Sequence, residues 1–193
     1  MTTNFQLLYT RISHDLAGVA GAIYNGAELM EESAENLQDV TPILMQSAEN
    51  LIARLKFFRQ TFGVPAEKTQ DETKAYLKTL SAPFILHGEC KTQLQKMLVL
   101  TLSGVMIYGG EIFVADSEVY GKSPRICSFP ENLFSLLTGV SERATEQTIS
   151  AWAAAVSAQN EERILRPEMT DKEIRIRILQ KKDLEIKGAK DVV

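Results

Sequence analysis

No apolar run in this sequence approaches the roughly 18 residues that a membrane-spanning helix needs, and cysteine is limited to Cys90 and Cys127. The first absence excludes a helical membrane protein. The second excludes the disulfide framework that staples small secreted domains. The opening residues, MTTNFQLLYTR, lack both the basic start and the long apolar stretch of a signal peptide. An excess of positive charge is missing too: 21 Lys and Arg stand against 25 Asp and Glu, and the basic residues are scattered. Nothing therefore prepares a surface for a nucleic-acid backbone. These absences predict a cytoplasmic protein with neither membrane nor nucleic acid as partner. There is no internal repeat and no low-complexity segment. What is present is ordinary for a globular chain, with 45% hydrophobic and 24% charged residues. Its 193 residues suffice for one domain, or two small ones, with a real core.

The chain has two halves with different patterning. From Asn4 to about Glu35, Leu8, Ile12, Leu16, Val19, Ile23, Ala27 and Met30 recur at steps of three and four, which predicts one long helix with a single apolar face. A second helix is predicted to begin near Thr41–Pro42, a capping residue followed by proline. It carries Leu44, Leu51, Leu55, Phe58 and Phe62 and ends at Gly63–Val64–Pro65. Two such helices with a short connection make an antiparallel hairpin. Its leftover apolar surface is most simply buried by a second copy, as a four-helix bundle in a homodimer. We place the boundary at 1–66 and 67–193. Beyond it, an apolar helix is predicted from Thr92 to Tyr108, then a turn at Gly109–Gly110, a strand in GEIFVADSEV and another in RICSF (Arg125–Phe129). Helices around Glu131–Leu137 and Thr145–Gln159 follow, and EIRIRIL alternates with the period of a half-buried strand. Mixed elements of this kind predict an α+β fold with helices layered on a sheet.

The chemistry concentrates in Arg11-Ile-Ser-His14-Asp15-Leu-Ala-Gly18-Val-Ala-Gly21-Ala22. At 100° per residue His14 points nearly opposite the face centred on Ile12 and Val19, and so into solvent. Ala17, Gly18, Gly21, Ala22 and Asn25 surround it. Exposed glycines cost helix stability, about 1 kcal/mol each against alanine. Such a strip makes sense if another protein's backbone must come close to the imidazole, although tight packing between helices would also account for glycines. An imidazole is a competent nucleophile near neutral pH, and an adjacent carboxylate can orient it or hold its proton.

The segment HDLAGVAGAIYNGAEL resembles the phospho-accepting helix of bacterial two-component histidine kinases. It is more closely similar to the histidine phosphotransferases of the ChpT type, which join a dimerising helical hairpin to a degenerate relative of the kinase ATP-binding domain. The order of parts agrees along nearly the whole chain. The resemblance implies His14 as phosphoryl acceptor and Asp15 as its acid–base partner, with Arg11, Ala17, Gly18, Gly21 and Ala22 where a receiver domain docks. It implies response-regulator receiver domains and a hybrid histidine kinase as partners, a homodimer, and no cofactor of its own, magnesium being supplied by the receiver. Kinases usually have Thr or Asn four residues after the histidine and a proline beside it; Gly18 and Val19 occupy those places, which speaks against phosphatase activity. The helix TQLQKMLVLTLSGVMIY has no Asn, and no Asp-x-Gly-x-Gly occurs, so an ATP-dependent kinase is not expected. The remaining alternative is an adaptor that docks receivers without transferring phosphate.

Six further residues read as structural. His87 and Cys90 are two ligands, too few for zinc, and are expected as a loop histidine and a buried thiol. Cys127 is expected in the core and Trp152 in packing. Gly109–Gly110 reads as a turn and not a phosphate loop.

Overall fold

A computed structural model describes residues 3–32, 37–64, 70–141 and 143–182. The expected boundary at 66–67 and the tail from 183 onward lie outside them. The fold is α+β, a helical hairpin followed by a five-stranded mixed sheet with helices packed on it.

The hairpin is α1 (Asn4–Glu32) and α2 (Leu37–Phe62). Thr3 and Gln6 form a reciprocal cap at the start of α1: the Thr3 N–H donates to Gln6 Oε1 at 2.7 Å and the Gln6 N–H to Thr3 Oγ1 at 3.3 Å. The second helix starts earlier than predicted, and Pro42 lies inside it. Thr41 is not a cap; its hydroxyl donates to the Leu37 carbonyl. A proline tolerates this place because its missing N–H would serve the carbonyl of Gln38, an exposed residue whose carbonyl water can satisfy.

Beyond the hairpin come α3 (Thr73–Lys78), β1 (Phe84–His87), α4 (Gln93–Val105), β2 (Gly110–Ala115), β3 (Glu118–Lys122), α5 (Leu133–Leu137), α6 (Ile149–Asn160), β4 (Arg163–Met169) and β5 (Glu173–Gln180). The sheet order is β1-β2-β3-β5-β4. The strands β1 and β2 are parallel and joined through α4, as a parallel pair requires; the other pairs are antiparallel. A capping box of Thr92 and Gln95 starts α4. The predicted long strand GEIFVADSEV is a hairpin, β2 and β3, turning at Asp116–Ser117. RICSF is not a strand. Its backbone is held to the β4–β5 turn by the Cys127 N–H, which donates to the Asp171 carbonyl, just after the Ser123 N–H donates to that of Lys172. Glycine is required at the α4–β2 turn: Gly109 and Gly110 have φ of +74° and +136°, and a Cβ on either would strike the Pro83 or Lys122 carbonyl.

Ile112, Val119, Ile174, Ile176 and Leu165 on the inner face of the sheet are buried with Leu94, Leu98 and Leu102 of α4 and the alanines of α6. The same core continues into the hairpin. Phe57 and Phe58 of α2 belong to it, Tyr76 of α3 stacks on Phe57 at 4.1 Å, and Leu8, Ile12 and Leu16 of α1 pack against it. The lower part of the hairpin is thus rooted in the α/β layer. The hairpin nevertheless keeps Tyr24, Ile43, Met45, Ile52 and Leu55 exposed.

Candidate functional site

The helix α1 brings Arg11, His14, Asp15, Ala17, Gly18, Gly21 and Ala22 onto one side of its cylinder, just where the hairpin rises from the α/β layer. The His14 side chain is 79% exposed, and its Nδ1 lies 3.9 Å from Asp15 Oδ1. That distance is too long for a hydrogen bond, but it turns Nδ1 toward the carboxylate and leaves Nε2 as the ring nitrogen away from it. Asp15 is only 16% exposed, and its Oδ2 accepts from Arg11 Nε at 3.1 Å. One carboxylate oxygen is thus held by a guanidinium while the other faces the imidazole. Arg11, expected at a docking surface, is a half-buried partner of Asp15 as well as a neighbour of the exposed strip.

Ala17, Gly18, Gly21 and Ala22 are all exposed. A Cβ placed on Gly18 or Gly21 would meet no atom within 4 Å, so packing within this chain does not require them. Gly26 differs: a Cβ there would lie 2.7 Å from Leu44 Cδ2, so this glycine serves the α1–α2 contact.

Beneath the His14–Asp15 turn lies a layer that the sequence analysis missed. Arg54 of α2 donates from Nη1 to the Asp15 main-chain carbonyl at 2.7 Å, from Nε to Thr79 Oγ1 at 3.0 Å and from Nη2 to the Thr79 carbonyl at 2.8 Å. The Tyr76 hydroxyl lies deeper, its pKa pushed up to about 12 by burial and, second, by the negative charge of Asp15, with a hydrogen bond to Ser103 and the Arg11 and Arg54 charges acting in the opposite sense. Arg11 and Asp15 also line a narrow crevice with Gly104, Glu146 and Ser150. One signal for Arg54 was legible: it shares a helix face with Leu51 and Phe58, and a cation on a buried face requires acceptors.

His87 ends β1 instead of sitting in a loop. Its Nε2 is 2.9 Å from Glu111 Oε2, and its ring stacks on Phe113, then Tyr120, with Arg175 over the last ring. Cys90 is buried, its thiol pushed up to about 12, chiefly by burial. Cys127 is buried with its Sγ 3.1 Å from Ser123 Oγ. Trp152 packs edge-on against Phe5 at 5.2 Å. Among the described residues, no three His, Cys, Asp or Glu side chains converge as a metal site would require, and no helix is long and apolar enough to cross a membrane.

No family model matches the chain. It is 30% identical over 122 residues to the protein phosphotransferase ChpT of Brucella abortus (strain 2308), a match covering 56% of this chain and 58% of that one. The match therefore spans little more than half the length of that relative. The fold is similar to that of a solved bacterial phosphotransferase, with a TM-score of 0.72 at 23% identity over 91% of this chain and 95% of that one. The sequence match thus supports the resemblance to the ChpT type, and the structural likeness shows the fold.

Proposed function

We propose that this chain is a histidine phosphotransferase that relays a phosphoryl group between receiver domains through His14, without binding ATP. The observation that carries the reading is the exposed His14 imidazole with its Nδ1 turned toward Asp15, a carboxylate already fixed by Arg11. In the tautomer that Asp15 favours, the proton sits on Nδ1 and the Nε2 lone pair is available. Nε2 attacks the phosphorus of a receiver's aspartyl phosphate, an N–P bond forms, and the P–O bond to the aspartate breaks with its electron pair staying on the carboxylate. The proton remains on Nδ1, and the positive charge that develops on the ring is stabilised by Asp15. Return transfer reverses these steps onto a second receiver. Magnesium, on this reading, comes with the receiver and neutralises phosphoryl charge there.

The exposed strip Ala17–Gly18–Gly21–Ala22 is the docking face in this proposal, and the hairpin is completed as a four-helix bundle by a second copy. Residues 1–66 serve dimerisation and transfer; 67–193 are a scaffold descended from an ATP-binding layer. The relative's name, protein phosphotransferase, accords with this role.

The test is incubation with a panel of phosphorylated receiver domains, read as acid-labile phosphate on the chain. His14→Ala is expected to abolish uptake and to change the unfolding free energy by no more than the ~0.5 kcal/mol usual for exposed substitutions. Asp15→Asn is expected to slow transfer about a hundredfold without abolishing it, and His87→Ala to transfer normally. Uptake that survives in the His14 variant and vanishes in the His87 variant refutes the assignment. Receiver binding with no phosphate uptake by the unaltered chain would make it an adaptor.

A further inference from the structure

We propose that Arg54 is a positioning residue of the transfer site, fixing the His14–Asp15 turn of α1 to the C-terminal end of α3. The inference rests on the phosphotransfer reading for its kinetic consequence but not for its geometry. The single guanidinium spans three elements: rooted on α2, it donates once to α1, at the Asp15 carbonyl, and twice to Thr79, the residue that caps α3. Thr79 is itself held, its hydroxyl donating to the Tyr76 carbonyl at 2.7 Å. Tyr76 stacks on Phe57, so the anchor ends in the rigid core.

The placement matters because of what lies on the other side of the helix backbone. A carbonyl in mid-helix already accepts from the N–H four residues on, so a second donor on the Asp15 oxygen serves no unmet need of the helix. It does fix the azimuth of α1 at the residue that carries the carboxylate. Asp15 and His14 are adjacent on α1, so a rigid roll of the helix would carry both together, whereas a local twist of its backbone at this turn would change the Nδ1–Oδ1 approach of 3.9 Å. Reacting groups misplaced by about 1 Å can lose on the order of a hundredfold in rate. Arg11 holds only the carboxylate, and from the same helix, so it leaves the backbone of the turn unanchored to the rest of the molecule. Arg54 anchors that backbone from outside α1. Lysine is no equal substitute, because one ammonium on a flexible stem cannot reproduce a planar fork serving three acceptors.

The experiment compares Arg54→Ala, Arg54→Lys and Thr79→Val with the unaltered full chain. Transfer from a phosphorylated receiver is measured as a function of receiver concentration, and side-chain spectra are recorded on protein with nitrogen-15-labelled histidine. With only two histidines in the chain, His87→Ala assigns both rings. For Arg54→Ala we expect the saturating rate to fall about tenfold or more, with the half-saturating receiver concentration changed less than about twofold. The His14 ring signals should shift or broaden while those of His87 stay in place. Arg54→Lys should be intermediate. Thr79→Val should lower the rate less than Arg54→Ala, and adding it to Arg54→Ala should change little further. A saturating rate equal to that of the unaltered chain, or His14 and His87 signals moving alike as in general loosening, would overturn the proposal. If Arg54→Ala does not fold, Arg54→Lys carries the same two measurements. If the unaltered chain takes up no phosphate, the proposed function fails and the histidine spectra still decide the role of Arg54.

Discussion

A helix interior gives up about 1 kcal/mol for each glycine placed where alanine would do, and α1 accepts this at Gly18, Gly21 and Gly26. Only Gly26 has a reason inside the fold, since a side chain there would run into Leu44. Gly21→Leu should therefore raise the melting temperature slightly and Gly26→Leu should lower it, because overpacking a helix contact costs about 1–3 kcal/mol. Receiver binding should follow the opposite order, lost in the Gly21 variant and retained by whatever fraction of the Gly26 variant stays folded. Paired melting and transfer measurements read both effects; unchanged transfer in Gly21→Leu would remove the docking face from the proposal. At this scale much of the site was legible. The 3.6-residue period alone turns His14 to solvent and sets the small residues beside it. The part that was not legible depends on distance along the chain. Arg54 meets Asp15 across 39 positions, a contact no local pattern encodes. Arg11 stood at the i, i+4 spacing from Asp15 that permits an ion pair, but the spacing does not say whether the guanidinium turns to the carboxylate or outward.

Helices announced themselves where one face is apolar and long, as in α1, α2 and α4, and strands where alternation is strict, as in β5. The elements that gave no signal are small or marginal. The strand β1 is four residues, and β4 contains Pro167 with Arg163, Arg166 and Glu168. Both are sheet edges, where proline and charge are tolerated and even protective. RICSF failed in the opposite sense, having strand-like residues but a backbone already engaged by the β4–β5 turn. The hairpin shows how exposure refines a sequence ladder. Leu51 is half-buried, whereas Ile52 is 52% and Leu55 48% exposed. Together with Met45, Ile52 and Leu55 recur at steps of seven and three along α2, the spacing that the proposed pairing with a second hairpin requires. Ile52→Glu or Leu55→Glu should thus convert a dimer to a folded monomer, an unpaired charge in such a seam costing several kcal/mol. Leu51→Glu should damage the hairpin itself. Sedimentation with circular dichroism separates the two, and an unaltered chain that sediments as a monomer at micromolar concentration defeats the bundle.

The molecule as a whole is organised around α4, and this bears on ATP. A nucleotide site built against such a helix needs polar side chains turned outward to hold metal and phosphates. In α4 every polar side chain is already committed to the chain's own groups. Gln93 donates to the Gln60 and Gly63 carbonyls, and Gln95 completes the capping box and donates to the Ala115 carbonyl. Lys96 donates to the Cys90 carbonyl and lies 3.8 Å from Asp71, while the Thr101 and Ser103 hydroxyls donate to the Met97 and Leu100 carbonyls. These bonds fasten the end of α2, the β1–α4 loop and the tip of β2 to one helix, and Leu94, Leu98 and Leu102 fill the core. Freeing any of them for a ligand would leave a buried polar group unpaired, at about 1–3 kcal/mol. Titration with ATP and magnesium should accordingly give no binding heat up to about millimolar concentration, where the corresponding free energy is only about 4 kcal/mol. Labelled ATP should leave no phosphate on His14, and Thr101→Asn should not create binding, since one amide on a buried face cannot open a cleft. Micromolar heat that depends on magnesium would mean that this half of the molecule still handles nucleotide, and His14 would then have a donor within its own chain.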